Sequence, residues 1–381
     1  MSNSKRIFSI SMVKNEMDII ESFVRYHVNI FDGMIFLDNA STDKTVNILN
    51  HLKNEGLAIS IFEDDDGVFN FTQKINQTLL IAVEQFKADI IVPLDADEFL
   101  VSSNKGNPRK ILEKIDYPTF SRVKWKTYVP TFDKNKNKKF IPSQITFARE
   151  DSVEMYYKAI LPRELVENYN VELVNGSHDL TFKKRYEDSI ERVYNTDLRL
   201  AHYPIRSKEQ TLSKIVVGWI NELNRLDRNE GENFHWQKIF DKIKKDEKID
   251  NEDVVKFAKE FALKDENLKI NITEDPIDLT FCSDLKIVYT KDRVKPISNL
   301  LERFEILSRA HTKFKRESIV NEQNLKDEIN DLSNDLSEIH NEKVANEKFL
   351  NDKIMEYKTS LSWRITSPMR RIGNIIRNLN K

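Results

Sequence analysis

The chain has a single cysteine, Cys282, among its 381 residues. One thiol makes no intramolecular disulfide and builds no cysteine-based zinc site, a pattern expected of a reducing compartment. Glycine is scarce as well, at eight residues, and nowhere do glycines gather into the loop that wraps phosphate in P-loop or dinucleotide sites. A diphosphate bound here must be held by side chains and metal. No stretch reaches the roughly 20 apolar residues that cross a bilayer. The N-terminal Met-Ser-Asn-Ser-Lys-Arg leads into an apolar run from Ile7 to Val13, broken by Lys14 and Glu16, which reads as a strand and not as a signal peptide. A cytosolic location is the expectation. Charge of either sign is not in excess: 60 basic and 62 acidic residues leave a formal net charge of −2, so no bulk attraction to nucleic acid or acidic membrane is implied.

What is present is a hydrophobic fraction of 39%, enough for at least one core. The first hundred residues alternate between apolar runs and runs of helical period, which predicts a βαβ series with a mostly parallel sheet. Strands are expected at Arg6 to Val13, Met34 to Leu37, Ala58 to Phe62 and Asp89 to Leu94. Helices are expected at Met17 to Ile30, Asp43 to Lys53 and Phe71 to Phe86, with His27 on the inward stripe of the first. From Phe120 to His202 shorter strand-like pieces suggest an extension of the same sheet on the acceptor side. The lysine-rich loop from Asp133 to Lys139 lacks interleaved aromatics and reads as solvated surface, not as a nucleic-acid patch.

Residues 207–310 read as a helical appendage and 311–358 as a coiled-coil helix. The seam runs through Leu325, Ile329, Leu332, Leu336 and Ile339, places Lys343 and Asn346 in its core, and restarts in a shifted register at Leu350, Ile354, Tyr357 and Leu361. Residues 359–381 form a basic tail. After Glu356 there is no acidic residue, whereas Lys358, Arg364, Arg370, Arg371, Arg377 and Lys381 alternate with Trp363, Ile365, Met369, Ile372, Ile375, Ile376 and Leu379. That is the composition of an amphipathic helix lying on an anionic membrane face, with a coiled coil adding avidity through homo-oligomerisation. Packing of the tail on the protein or on a partner is the alternative.

The chemistry is expected where Ile90-Ile91-Val92-Pro93-Leu94 ends in Asp95-Ala96-Asp97-Glu98-Phe99. In extended backbone Asp95 and Asp97 point the same way, at the edge where open α/β sheets bind ligands. Two hard carboxylates with no cysteine nearby suit Mn²⁺ or Mg²⁺ bridging a diphosphate.

These residues also carry a resemblance. Val13-Lys14-Asn15-Glu16, Phe23-Val24-Arg25-Tyr26-His27, Leu37-Asp38-Asn39-Ala40-Ser41-Thr42-Asp43 and Asp95 to Phe99 resemble the bacterial family-2-like glycosyltransferases of the GT-A fold and the related family 92 group. The match is dense over residues 5–102, and His202-Tyr203 with Ser207 is similar to a further motif downstream. Phe23 stands where many relatives have tryptophan. The resemblance implies an α/β, GT-A-type (Rossmann-like) domain over 1–206 and inverting transfer of a sugar from a nucleoside diphosphate sugar to a glycan or lipid-linked acceptor. The tail segment Leu361 to Pro368 resembles tails of surface-polysaccharide glycosyltransferases.

On that reading Asp95 and Asp97 hold metal and phosphate, and Asp38, Asn15 and Glu16 lie near the nucleoside. Asn15 with Asp18 also fits a plain helix N-cap, and Ser41, Thr42 and Asp43 fit caps better than contacts. Lys74 either offsets diphosphate charge or is a surface lysine. One of His178 and His202 is expected to join the metal or phosphate, a buried structural histidine being the alternative for each. Among Glu150, Asp151 and Glu154, Asp151 is the expected acceptor base. Two competing readings are a nucleotidyltransferase, which would normally open on a Gly-rich basic loop, and a catalytically silent scaffold organised by the coiled coil.

Overall fold

A computed structural model describes residues 4–64, 71–132, 138–150, 152, 154, 156–223, 234–245, 248–263, 268–290, 294–361, 364, 366, 370, 371 and 374. The elements run β1 (Ile7–Val13), α1 (Ile20–His27), β2 (Gly33–Asp38), α2 (Thr45–Asn54), β3 (Ile59–Glu63), α3 (Phe71–Glu84), β4 (Ile90–Pro93), β5 (Glu98–Ser102), α4 (Arg109–Leu112), β6 (Thr119–Val129) and α5 (Ile141–Gln144). They continue with β7 (Phe147–Arg149), β8 (Tyr157–Pro162), α6 (Arg163–Tyr169), β9 (Glu172–Leu173), β10 (Leu180–Thr181), β11 (Glu191–His202), α7 (Lys208–Leu223), α8 (Phe234–Lys244), α9 (Asn251–Glu260), β12 (Ile272–Glu274) and α10 (Pro296–Thr359). The chain divides into two compact units, Met1–Ser308 and Arg309–Lys381.

In the first unit the main sheet runs β12-β7-β6-β8-β4-β1-β2-β3, and β11 joins it beside β6 and β5. Strands β4, β1, β2 and β3 are mutually parallel, as the alternating pattern predicts. Beyond β4 the pairings β4/β8, β8/β6, β6/β7 and β7/β12 are antiparallel. The result is an α/β fold with a Rossmann-like parallel half and a mixed extension.

Period-2 alternation sorts the parallel strands onto two cores. Ile7 and Val13 of β1 with Ile90 and Val92 of β4 pack with Phe23, Leu49 and Leu52 of α1 and α2. Phe8, Ile10 and Ile91 face Ile75, Leu79 and Val83 of α3 and Leu165 of α6. Both faces are thus covered, which is why these strands read as continuous apolar runs. Register sets the site: Val13 lies beside Asp38, and Asp38 beside Glu63, so the ends of β1, β2 and β3 share one edge.

Residues 207–310 are not helical throughout. After α9 the chain turns extended; β12 pairs with β7, and Ile277, Leu279, Phe281, Leu285, Ile287 and Tyr289 pack against the main core. Pro276 and the alternation of Ile277, Leu279 and Phe281 oppose a helix there. Glu21, buried on α1, fixes this strap by accepting from the backbone N–H groups of Val288 (2.7 Å), Tyr289 (2.8 Å) and Thr290 (2.8 Å). Val294 lines the cavity described below.

The expected seam lies on α10, a helix of 64 residues. Leu325, Ile329, Leu332, Leu336 and Ile339 are exposed along it. No helix among the described residues is long and apolar enough to cross a membrane. Trp363, Ile365, Met369, Ile372, Ile375, Ile376 and Leu379 of the tail all lie outside the described residues.

Candidate active site

The ends of β1 and β4 open on a cavity of about 370 Å³ that brings together Asn15, Glu16, Asp95, Asp97 and His202. A larger hollow of about 700 Å³ lies against α9 and Phe132, where Glu252, Lys256 and Lys259 gather none of the expected residues. The residues expected to carry the chemistry line the smaller one.

Asp95 and Asp97 do not lie on one continuous strand. Ala96 and Asp97 form the turn between β4 and β5, closed by Glu98 N donating to Asp95 O (3.0 Å). The turn sends the two carboxylates to different cations. Lys158 of β8, itself buried, bonds Asp95 Oδ2 at 2.8 Å and stands 3.4 Å from Glu98 Oε2. Burial opposes the ammonium charge, but Asp95 and Glu98 outweigh it and raise the Lys158 pKa. Glu98 is pushed well above the usual carboxylate range by burial, against the pull of Lys158.

Asp97 lies deeper. Lys214 of α7 bonds its Oδ2 at 2.8 Å, Arg206 Nη1 stands 3.8 Å from Oδ2, and His202 Nε2 stands 3.8 Å from Oδ1. Burial alone would raise its pKa; Lys214 and Arg206 overcome that and hold Asp97 ionised, well below the usual range. Arg206 also takes Asp18 through Nε and Nη2 (2.8 Å each) and Glu16 Oε2 (2.7 Å). Burial nevertheless lifts Glu16 to about 7, with Arg206 opposing the rise.

Both candidate histidines border Trp125. His202 stacks on the indole at 4.2 Å between ring centroids, and His178 meets it edge-on at 5.4 Å. His178 is not among the cavity lining. Its Nδ1 pairs with Tyr157 O at 2.7 Å, and Gly176, with φ +69°, lets the imidazole close in: a Cβ there would lie 2.5 Å from Nε2. His202 Nδ1 is buried without a partner. Burial lowers His202 to about 3 despite Asp97, and lowers His27 to about 3; His27 is the inward residue expected, pairing through Nδ1 with Phe23 O.

Because both folded values lie below the ordinary 6.5, these neutral rings contribute stability that is full above about pH 6.5 and is lost as pH falls toward 3. Neither ring is expected to protonate between pH 8 and 5 in a titration followed by the imidazole proton resonances. A midpoint above 5 for either would overturn its buried, neutral assignment.

Asp38 and Lys74 lie outside the cavity lining, at the neighbouring strand end. Asp38 Oδ2 accepts from Ser41 N (2.8 Å), while its Oδ1 is buried without a partner. Asn39 Nδ2 is likewise buried and unpartnered, and its Oδ1 accepts from Lys74 Nζ (2.9 Å). Lys74 is no surface lysine: it is buried and bonds Asp64 at 2.9 Å. Asn15 adopts φ +56° and does not cap α1. Its Oδ1 instead accepts from Thr42 N (2.8 Å) and Asp43 N (3.3 Å). Asp43 Oδ1 accepts from Thr45 N (2.8 Å), two residues on, but the N-cap of α2 is Lys44 and carries no side-chain cap bond, so the cap expected of that loop is not formed.

Asp151 lies outside the described residues. Of its neighbours, Glu150 accepts from Asn271 Nδ2 on the surface (2.9 Å) and Glu154 is buried against Arg149. Sequence reasoning missed Lys158, Arg206 and Lys214. Arg206, Gln210 and Lys214 recur every four residues directly after His202-Tyr203, a helical stripe that could have been read; Lys158 sits singly in an apolar strand and left no such signal.

Among the described residues no three histidine, cysteine or carboxylate side chains form a ready metal cage. The donors present still suit a hard divalent ion: an ionised Asp97 faces a neutral His202, with Asp95 on the same turn. Mg²⁺-type sites are commonly built from one or two carboxylates plus substrate phosphates.

No protein-family model matches the chain and no curated protein matches it in sequence. Among solved structures it is similar to Staphylococcus aureus TarS in complex with UDP, at 12% identity over 62% of this chain and 70% of that one, with a TM-score of 0.31. It is also similar to the mannosyltransferase PcManGT of Pyrobaculum calidifontis in complex with GDP-Man and Mn²⁺, at 13% identity over 68% and 74%, with a TM-score of 0.36. A third is glucosyl-3-phosphoglycerate synthase of Mycobacterium tuberculosis with Mn²⁺, UDP and glucosyl-3-phosphoglycerate, at 14% identity over 60% and 82%, with a TM-score of 0.28. Likenesses this distant leave activity and substrate to be argued from the chain's own residues.

Proposed function

We propose that this chain is a GT-A-type glycosyltransferase that moves a sugar from a nucleoside diphosphate sugar, with inversion, to a glycan or lipid-linked acceptor. The observation that carries the reading is the turn after β4, which sets an ionised, buried Asp97 against the neutral His202 at the ligand-binding edge of parallel strands. Asp97, His202 and Asp95 would hold Mn²⁺ or Mg²⁺, which supplies positive charge to the departing diphosphate. Lys158, Arg206 and Lys214 bring further positive charge to the same end of the cavity.

The unpaired Asp38 Oδ1 and Asn39 Nδ2 offer one acceptor and one donor, the combination that a nucleobase edge satisfies. Asn15 and Glu16 border the nucleoside side of the cavity, and Lys74 supports Asn39. His178 supports Trp125 from the acceptor side. Asp151 is the proposed acceptor base, since Glu150 and Glu154 are engaged elsewhere.

The test is release of nucleoside diphosphate from UDP-, GDP- and dTDP-sugars, with Mn²⁺, with Mg²⁺ and with chelator. Cation-dependent release from at least one donor is expected; no release and no nucleotide binding under any condition would reject the reading. Homo-oligomerisation through the α10 seam and membrane contact through the basic tail belong to the same proposal, with surface polysaccharide synthesis as the setting. If the full chain is monomeric in solution and pellets with anionic liposomes no better than a chain ending at Glu356, both are wrong.

A further inference from the structure

Asp97 already has a cation. Lys214 Nζ lies 2.8 Å from its Oδ2 and 3.3 Å from Pro204 O, with the Phe261 ring 5.6 Å away. Arg206 is near the same oxygen, but it is locked by Asp18, by Glu16 and by donation to Tyr203 O at 3.1 Å. Lys158 is locked as well, buried between Asp95 and Glu98.

Lys214 differs from both. Its side chain is 23% exposed, it lines the cavity, and among the described residues the carboxylate it pairs with is the one that a divalent ion requires. An ammonium on a flexible four-carbon stem can leave such a partner at little conformational cost, which a guanidinium held in a fork cannot. When it leaves, it remains inside a cavity that on the reading above receives a diphosphate.

We propose that Lys214 is an exchangeable counter-ion: it holds Asp97 while the site is empty, yields it to the divalent cation, and turns its ammonium onto the donor diphosphate. The proposal rests on the nucleotide-sugar reading and assigns this lysine two successive partners. It makes cation and lysine competitors in the absence of nucleotide and allies in its presence. Removal of the ammonium therefore has opposite effects on the two ligands, a signature that a merely structural lysine does not give.

Lys214→Met and Lys214→Gln are compared with the wild-type chain. Binding of Mn²⁺ alone is followed by the paramagnetic resonance of the free ion, and binding of UDP and GDP at saturating Mn²⁺ by calorimetry. Both variants are expected to bind Mn²⁺ alone about tenfold more tightly, and the preferred nucleotide about tenfold more weakly, the scale of one charge-assisted contact. Lys214→Arg, which keeps the charge, is expected to bind Mn²⁺ no more tightly than wild type. If Met and Gln bind Mn²⁺ no better than wild type, or lose no nucleotide affinity, Lys214 is not the exchangeable group, and cation-dependent donor hydrolysis by wild type would still uphold the enzyme reading. If no form binds Mn²⁺, this proposal and the metal-dependent part of that reading fall together.

Discussion

Asp97→Asn is expected to leave a folded protein whose rate of sugar transfer is lower by about 10³-fold or more, the several kcal/mol that charge stabilisation of a departing phosphate supplies at about 1.4 kcal/mol per factor of ten. The substitution keeps the shape of the side chain and an oxygen for Lys214 at 2.8 Å. It removes the negative charge that Lys214 and Arg206 hold ionised against burial. The same ionisation bears on stability, with a definite sign. The folded pKa lies below the ordinary 3.8, so the charged form stabilises the fold above about pH 4, and this contribution is lost as pH falls below that value. The variant should therefore melt at a lower temperature than wild type at pH 7, and the gap should narrow below pH 4. Transfer and melting measured on the same preparations separate the two effects. A folded variant that keeps more than about a tenth of wild-type activity would remove Asp97 from the mechanism, given the tenfold steps that each 1.4 kcal/mol represents.

Asp95 and Asp97 were legible because a strongly apolar strand ends in two carboxylates, and an apolar strand buried on both faces is the easiest element to read. The geometric reason differed. Strand alternation would have aimed both the same way, whereas the turn at Ala96 and Asp97 gives each its own lysine. Asn15 shows how tertiary contacts override a local pattern. Its spacing from Asp18 suits an N-cap, yet β1 and β2 run side by side, so the backbone of Thr42 and Asp43 is the nearer donor. Lys74 was masked for a related reason: a lone lysine on a helix looks solvated until Asn39 and Asp64, both from other elements, close over its ammonium. The strap at 268–290 escaped because its alternation is short and its docking partner, Glu21 on α1, lies more than 260 residues away in sequence.

Glu154→Gln is expected to cost about 3–5 kcal/mol of folding stability, the range for removing one partner of a buried ion pair. Arg149 and Glu154 are both almost fully buried and meet bidentately, Nε to Oε1 at 3.0 Å and Nη2 to Oε2 at 2.8 Å. Thr127 completes the cluster, donating through N to Glu154 Oε1 (2.7 Å) while its Oγ1 accepts from Arg149 Nη2 (2.7 Å). A neutral amide leaves the guanidinium without a counter-charge in surroundings that exclude water. The loss also reaches the site, because Arg149 Nη1 donates to Lys259 O (3.0 Å) and Phe261 O (2.8 Å) at the end of α9. Phe261 lines the cavity and meets the His202 ring at 5.7 Å. Loosening that tether should raise the KM for the donor alongside the drop in unfolding midpoint. A catalytic base behaves differently: its loss slows the chemical step by about 10²- to 10⁴-fold and leaves stability and donor affinity almost unchanged. Urea unfolding and steady-state kinetics on one preparation decide between the two, and a Glu154→Gln chain with a wild-type unfolding midpoint and slow chemistry would move the base from Asp151 to Glu154.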